Sequence, residues 1–137
     1  MKKILVIESD DAVNQLFEAT IRELDLEFIS STRLIPLHEI LAIKPDVIVI
    51  DYRPPFGFGG DLCKELKTDP RTAAIKVILT STDRHIPKIA CENFADACLH
   101  KPFDIDLLTS TLTRLAADAR PAATVLPKKS FWAVLGV

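Results

Sequence analysis

Four groups of reactive side chains stand at the ends of short apolar runs. "KILVI" leads into Glu8, Ser9, Asp10 and Asp11, and "DVIVI" ends at Asp51. "KVILT" ends at Thr80, followed by Ser81 and Thr82, and "DACLH" ends at His100, followed by Lys101 and Pro102. Carboxylates a few ångströms apart repel strongly at a partly exposed site, so a hard cation or a lysine must offset them. Oxygen donors without histidine or cysteine favour magnesium or calcium over zinc. Magnesium needs only one or two carboxylates, with waters and phosphate oxygens completing its shell. Adding a carboxylate nucleophile, a hydroxyl and a lysine to such a cation suits phosphoryl transfer to Asp51, with the metal and Lys101 neutralising the phosphoryl oxygens. Ser9 is the discordant member, a neutral hydroxyl among three carboxylates.

These groups must be brought together by the elements that carry them. Ile4 to Ile7 is an unbroken apolar run, the mark of a strand buried on both faces. Val13, Leu16, Phe17, Ile21 and Leu24 recur at helical spacing, which predicts a helix over 11–24 capped by Ser9 or Asp10. Strands follow at 26–30, 46–50, 76–80 and 96–100. Helices are predicted at 36–43, with Pro36 in its first turn, at 61–67, at 86–93 and from Asp104 onward, with "RPPFGFGG" a loop. Strand and helix alternate five times, which predicts an α/β fold: a doubly wound parallel sheet with helices on both faces. In such sheets ligands bind beyond the carboxyl ends of the strands, and Glu8, Asp51, Ser81 and Lys101 all stand there.

Composition narrows the function classes. The chain has 137 residues, enough for one domain with its own core, and nearly half of them are apolar. A net charge of −2 without a basic run argues against nucleic acid. No run is long enough to span a bilayer and no signal peptide is visible, so a cytoplasmic setting is the default expectation. Cys63, Cys91 and Cys98 are scattered and odd in number, and read as core or surface thiols rather than a disulfide or zinc framework. His38, His85 and His100 show no ligand spacing.

Taken in order, the motifs resemble a response-regulator receiver domain of the CheY-like, flavodoxin-like type. "KILVIESDDAV" is similar to that family's first strand and acidic cluster. "KPDVIVIDYRPPFGFGGDLCKEL" is similar to its phosphoacceptor segment, with Pro55 and Gly59 at the usual places. "IKVILTST" places Ser81 at the switch-hydroxyl position, 30 residues after Asp51, and "ADACLHKPFD" supplies the Lys-Pro pair. The resemblance runs from residue 2 to about 118 and implies the strand order 2-1-3-4-5. It implies that Asp51 accepts a phosphoryl group from a histidine kinase or phosphotransfer protein, that Ser81 is the switch hydroxyl, and that Lys101 pairs with the phosphoryl group. It implies a magnesium ion held by Glu8, Asp51 and the backbone carbonyl of Arg53, with Asp10 as a candidate ligand. Partner binding would be switched through the face made by helix four, strand five and helix five.

Three positions depart from that pattern. Ser9 stands where the second acidic ligand belongs, which predicts weak magnesium binding. Cys98 replaces the aromatic switch residue, and Thr82 stands where a small residue is usual, narrowing access to Asp51. Arg53 reads as exposed, although its guanidinium is long enough to reach Glu8 and replace some cation charge. The expected function is a stand-alone receiver over 1–119 in two-component phosphorelay signalling, with no enzymatic activity beyond self-catalysed phosphoryl transfer and autodephosphorylation. The alternative is a pseudo-receiver, an interaction module with weak or no phosphorylation. An aspartyl-nucleophile phosphohydrolase fits less well, because Arg53 occupies the position of its general acid. Residues 120–137 form a Pro/Ala linker and an apolar tail, a loose end or a contact for a partner or a second copy.

Overall fold

The computed structural model describes residues 1–53 and 58–119; the expectations for Pro55 and for the tail at 120–137 fall outside the described residues. The apolar runs become strands because their residues alternate between two buried faces. Leu5 and Ile7 of β1 (Lys3–Ile7) join one apolar cluster, and Ile4 and Val6 join the other. In β3 (Val47–Asp51), Ile48 and Ile50 divide from Val47 and Val49 in the same way. A strand covered on both sides has no face left for polar residues, so its sequence is continuously apolar.

The remaining elements are α1 (Asp11–Glu23), β2 (Glu27–Ser31), α2 (Leu37–Ile43), α3 (Phe58–Thr68), β4 (Lys76–Ser81), α4 (Ile86–Glu92), β5 (Ala97–His100) and α5 (Ile105–Asp118). The five strands pair in parallel in the order β2-β1-β3-β4-β5. Helices α1 and α5 cover one face with Phe17, Ile21, Leu108 and Leu112. Helices α2, α3 and α4 cover the other with Ile40, Leu66 and Ile86. This is the doubly wound architecture expected from the alternation of elements.

Two aspartates start the helices that flank the site. The Asp10 carboxylate accepts a hydrogen bond from the Val13 amide, and Asp104 accepts one from the Leu107 amide. Each satisfies a donor that the first helical turn leaves unpaired. Asp10, not Ser9, is therefore the N-cap of α1.

Helix α3 begins at Phe58, earlier than the predicted 61, so Gly59 and Gly60 belong to the helix and not to a loop. The reason is close approach. A Cβ on Gly59 would lie 2.5 Å from the Asp51 carbonyl oxygen, so only glycine lets this helix start against the end of β3.

The amino-terminal edge of the sheet carries a buried ion pair that periodicity does not reveal. Lys67 Nζ donates to the Ala73 and Ile75 carbonyls at 2.7 and 2.9 Å and to Asp96 Oδ2 at 2.9 Å. The same Asp96 oxygen accepts the Val77 amide at 2.8 Å. This network ties α3, the turn after it, and the starts of β4 and β5 together.

Candidate phosphoacceptor site

The backbone assembles the site before any side chain contributes. Asp51 is in register with Thr80, so the carboxyl ends of β3 and β4 are level. The Tyr52 amide donates to the Thr80 carbonyl and the Lys101 amide to the Ser81 carbonyl, both at 2.8 Å, which pins the residues following β3 and β5 to the end of β4. The Glu8 amide donates to the Ser31 carbonyl and holds the end of β1 against β2. The four sequence groups thus meet at one edge of the sheet, although Glu8 and Lys101 are 93 residues apart.

Within that edge, Glu8, Asp51 and Lys101 are in direct contact. Lys101 Nζ lies 2.6 Å from Glu8 Oε1 and 3.1 Å from Asp51 Oδ1. Glu8 is buried at 2% exposure, and its second oxygen accepts the Asp10 amide at 3.0 Å. A carboxylate so buried requires cationic and amide partners, and Lys101 supplies the principal one.

Arg53 joins the same group. Its Nε donates to Asp51 Oδ2 at 2.6 Å, and its Nη2 lies 3.7 Å from Glu8 Oε2. The sequence suggested reach to Glu8; the closer contact is with Asp51. The Arg53 side chain remains 55% exposed, so it caps the site from the solvent side.

The other expected residues take different places. Ser81 is buried at the end of β4, and its hydroxyl accepts the Asp83 amide at 3.0 Å. Asp10 has its carboxylate engaged as the α1 cap. Ser9 is exposed and lines a cleft of about 290 Å³ beside Asp51, together with Thr32, Arg33 and Gly59. Thr82 is exposed and is not among the residues lining that cleft. Its carbonyl accepts a hydrogen bond from His100 Nε2 at 3.0 Å, a tie between the β4–α4 loop and the end of β5 that the sequence did not signal. Thr32 and Arg33 were also missed, since nothing in a polar loop marks which residues face a cleft.

The thiols lie apart from this chemistry. Cys98, on β5, is half-buried against the apolar cluster, and burial pushes its thiol pKa up. Cys63 is buried in α3 and donates to the Asn93 carbonyl. Burial first, and then the Asp96 charge, push its thiol up to about 12. Both are neutral thiols near pH 7, which leaves them inert as nucleophiles.

Five parallel strands in this order, with an aspartate, a lysine and a buried glutamate at their carboxyl ends, can be compared with known proteins. No protein-family model matches the chain. It is 33% identical over 117 residues to an uncharacterized response regulatory protein of Shewanella oneidensis, covering 84% of this chain and 48% of that one. It is 29% identical over 118 residues to the DNA-binding dual master transcriptional regulator RpaA of Synechocystis, covering 84% of this chain and 49% of that one. The receiver domain of Francisella response regulator 1452 superposes with a TM-score of 0.69 at 25% identity, over 88% of this chain and 100% of that one. The chain carries the response-regulator receiver fold. It spans about half the length of the two curated relatives. Among the described residues of this receiver, no helix is long and apolar enough to cross a membrane.

The resemblance to receivers also implies magnesium, and the donor set bears on that. Among the described residues, no group of three or more carboxylates, histidines or cysteines is placed to hold a metal ion. Glu8 and Asp51 are the two carboxylates at the site, and both are already contacted by Lys101 and Arg53. As they stand, these residues do not fit a tightly held magnesium ion.

Proposed function

We propose that this receiver accepts a phosphoryl group on Asp51 from a histidine kinase or phosphotransfer protein of a cytoplasmic two-component pathway. The observation that carries the reading is the Asp51 carboxylate lining the cleft, with Lys101 Nζ at 3.1 Å from one of its oxygens. In the transfer, an Asp51 oxygen forms a bond to phosphorus as the donor's phosphorus–nitrogen bond breaks, and the electron pair leaves on the donor imidazole. Lys101 stabilises the added negative charge on the phosphoryl oxygens. Ser81 is the switch hydroxyl, released from the Asp83 amide to meet the phosphoryl group. Magnesium, if drawn to Glu8, Asp51, Asp10 and the Arg53 carbonyl, would bind weakly there and add its charge to that of Lys101 in offsetting the phosphoryl oxygens.

The signalling unit in this reading is residues 1–119, and the output is a protein partner on the face of α4, β5 and α5. Ile105 and Leu107, 50% and 54% exposed at the start of α5, are suited to such a contact. No separate enzymatic reaction is assigned. The phosphohydrolase alternative lacks its acid, because the Arg53 guanidinium does not give up a proton near neutrality.

The pseudo-receiver reading has one specific support: the Arg53 guanidinium already occupies Asp51 Oδ2. Incubating the full chain with acetyl phosphate across a magnesium series, followed by intact mass measurement, separates the two. The expected result is a phosphate adduct that disappears in Asp51→Asn. Absence of an adduct under every condition would leave the interaction module as the function.

A further inference from the structure

The carboxylates of the site are held by a closed ring of charges. Lys101 bridges Glu8 Oε1 and Asp51 Oδ1, while Arg53 spans the other oxygen of each, Glu8 Oε2 and Asp51 Oδ2. The two carboxylates therefore face two cations, with Arg33 also lining the cleft, and the pocket has no negative surplus. Had Ser9 been a carboxylate and Arg53 been absent, three carboxylates would face one lysine. The surplus of two negative charges would then suit a divalent cation.

The two cations also differ in how firmly they are placed. Lys101 is 16% exposed and reaches the site from the segment pinned to β4, whereas Arg53 is 55% exposed and folds back over Asp51 from only two residues away. A guanidinium presents several donors in a fixed plane and so can span two carboxylates, which an ammonium in the same place does less well.

We infer that Arg53 is the resident cation of this site. Its guanidinium fills the role that a divalent ion would otherwise have between Glu8 and Asp51, and a divalent ion binds only by displacing it. The inference deepens the proposed function and rests on it only for the last arm of the test, because competition for the carboxylates does not depend on a phosphoryl donor.

Manganese(II), a paramagnetic probe for such sites, is titrated into the full chain while the electron paramagnetic resonance signal of the free aqua ion is followed. Wild type is expected to bind weakly. Arg53→Gln, which keeps the polar bulk without the charge, is expected to bind about ten-fold more tightly or better. Arg53→Lys, which keeps the charge but not the two-carboxylate span, should fall between wild type and Arg53→Gln, and adding Asp51→Asn to Arg53→Gln should remove the gain. Circular dichroism confirms that the variants are folded, and Arg53→Ala serves as a second charge-removing variant. Manganese binding in Arg53→Gln and Arg53→Ala no tighter than in wild type overturns the inference, as does a gain that survives Asp51→Asn. Acetyl phosphate is then applied to wild type with and without chelator. No adduct under either condition defeats the phosphoacceptor reading and leaves the manganese result to decide the role of Arg53.

Discussion

Replacing Lys67 by methionine should cost the fold about 4 kcal/mol. The figure follows from what Lys67 touches. Its ammonium has two carbonyls and the Asp96 carboxylate within 2.9 Å, and both side chains of the pair are only 4% exposed. Methionine fills much the same volume, so little cavity opens. The loss is electrostatic: the buried Asp96 carboxylate loses the Lys67 ammonium, and the Ala73 and Ile75 carbonyls lose a donor. Removing one partner of a buried pair typically costs about 3–5 kcal/mol. Native domains are stable by only about 5–15 kcal/mol, so the variant should be marginal but folded at low temperature. With an unfolding entropy of about 2.1 cal/mol/K per residue over the 115 described residues, the loss lowers Tm by about 17 °C. Urea unfolding followed by circular dichroism measures it directly. Combining Lys67→Met with Asp96→Asn should recover at least about 1 kcal/mol over Lys67→Met alone, because the buried charge that Lys67 offset is gone while an acceptor for Val77 remains. A loss below about 1 kcal/mol in the single variant, or no recovery in the double, refutes the reasoning.

Two further outcomes follow from the same geometry. Gly59→Ala should destabilise the protein by about 1–3 kcal/mol and reduce acetyl phosphate labelling of Asp51, since the added methyl meets the Asp51 carbonyl at 2.5 Å and the start of α3 or the end of β3 must give way; an unchanged urea midpoint contradicts this. Cys63 supplies a pH dependence. Its folded thiol is raised from 9.0 to about 12, so its contribution to stability is complete below about pH 9 and is lost as pH rises from there towards 12. The urea midpoint should therefore fall more steeply between about pH 8 and about pH 10.5 in wild type than in Cys63→Ala, and equal slopes count against that assignment.

The elements were legible because each apolar run carries a local signature. A both-faces-buried strand and an amphipathic helix have different periods, and their alternation leaves few topologies. Boundaries failed where a long-range contact decides them. Gly59 and Gly60 read as loop residues in isolation, and only the approach of the Asp51 carbonyl to Gly59, and of the Tyr52 and Asn93 side chains to Gly60, gives a reason for glycine inside a helix. Lys67 failed for a related reason. A lysine in an amphipathic helix reads as a solvated side chain, and its aspartate stands 29 residues away at the start of another element.

The site divides along the same line. Glu8, Asp51 and Lys101 could be placed together because parallel strands deliver their carboxyl ends to one edge, whatever the side chains do there. Arg53 lies beyond the strand, so its direction depends on the loop backbone and its rotamers rather than on sheet register. Its reach was evident from its length; its closest partner was not. Yet Ser9 and Arg53 act in the same direction on the charge of the pocket. Relative to a pocket with a carboxylate in place of Ser9 and no guanidinium, Ser9 subtracts a negative charge and Arg53 adds a positive one, and together they remove a negative surplus that neither residue removes by itself. In water a balanced pair of ion pairs at such an edge is worth little, but Glu8 is 2% exposed and Asp51 9%, so each carboxylate must be matched where it stands. That local requirement, rather than the net charge of the chain, makes Arg53 the residue on which the cation dependence of this receiver turns.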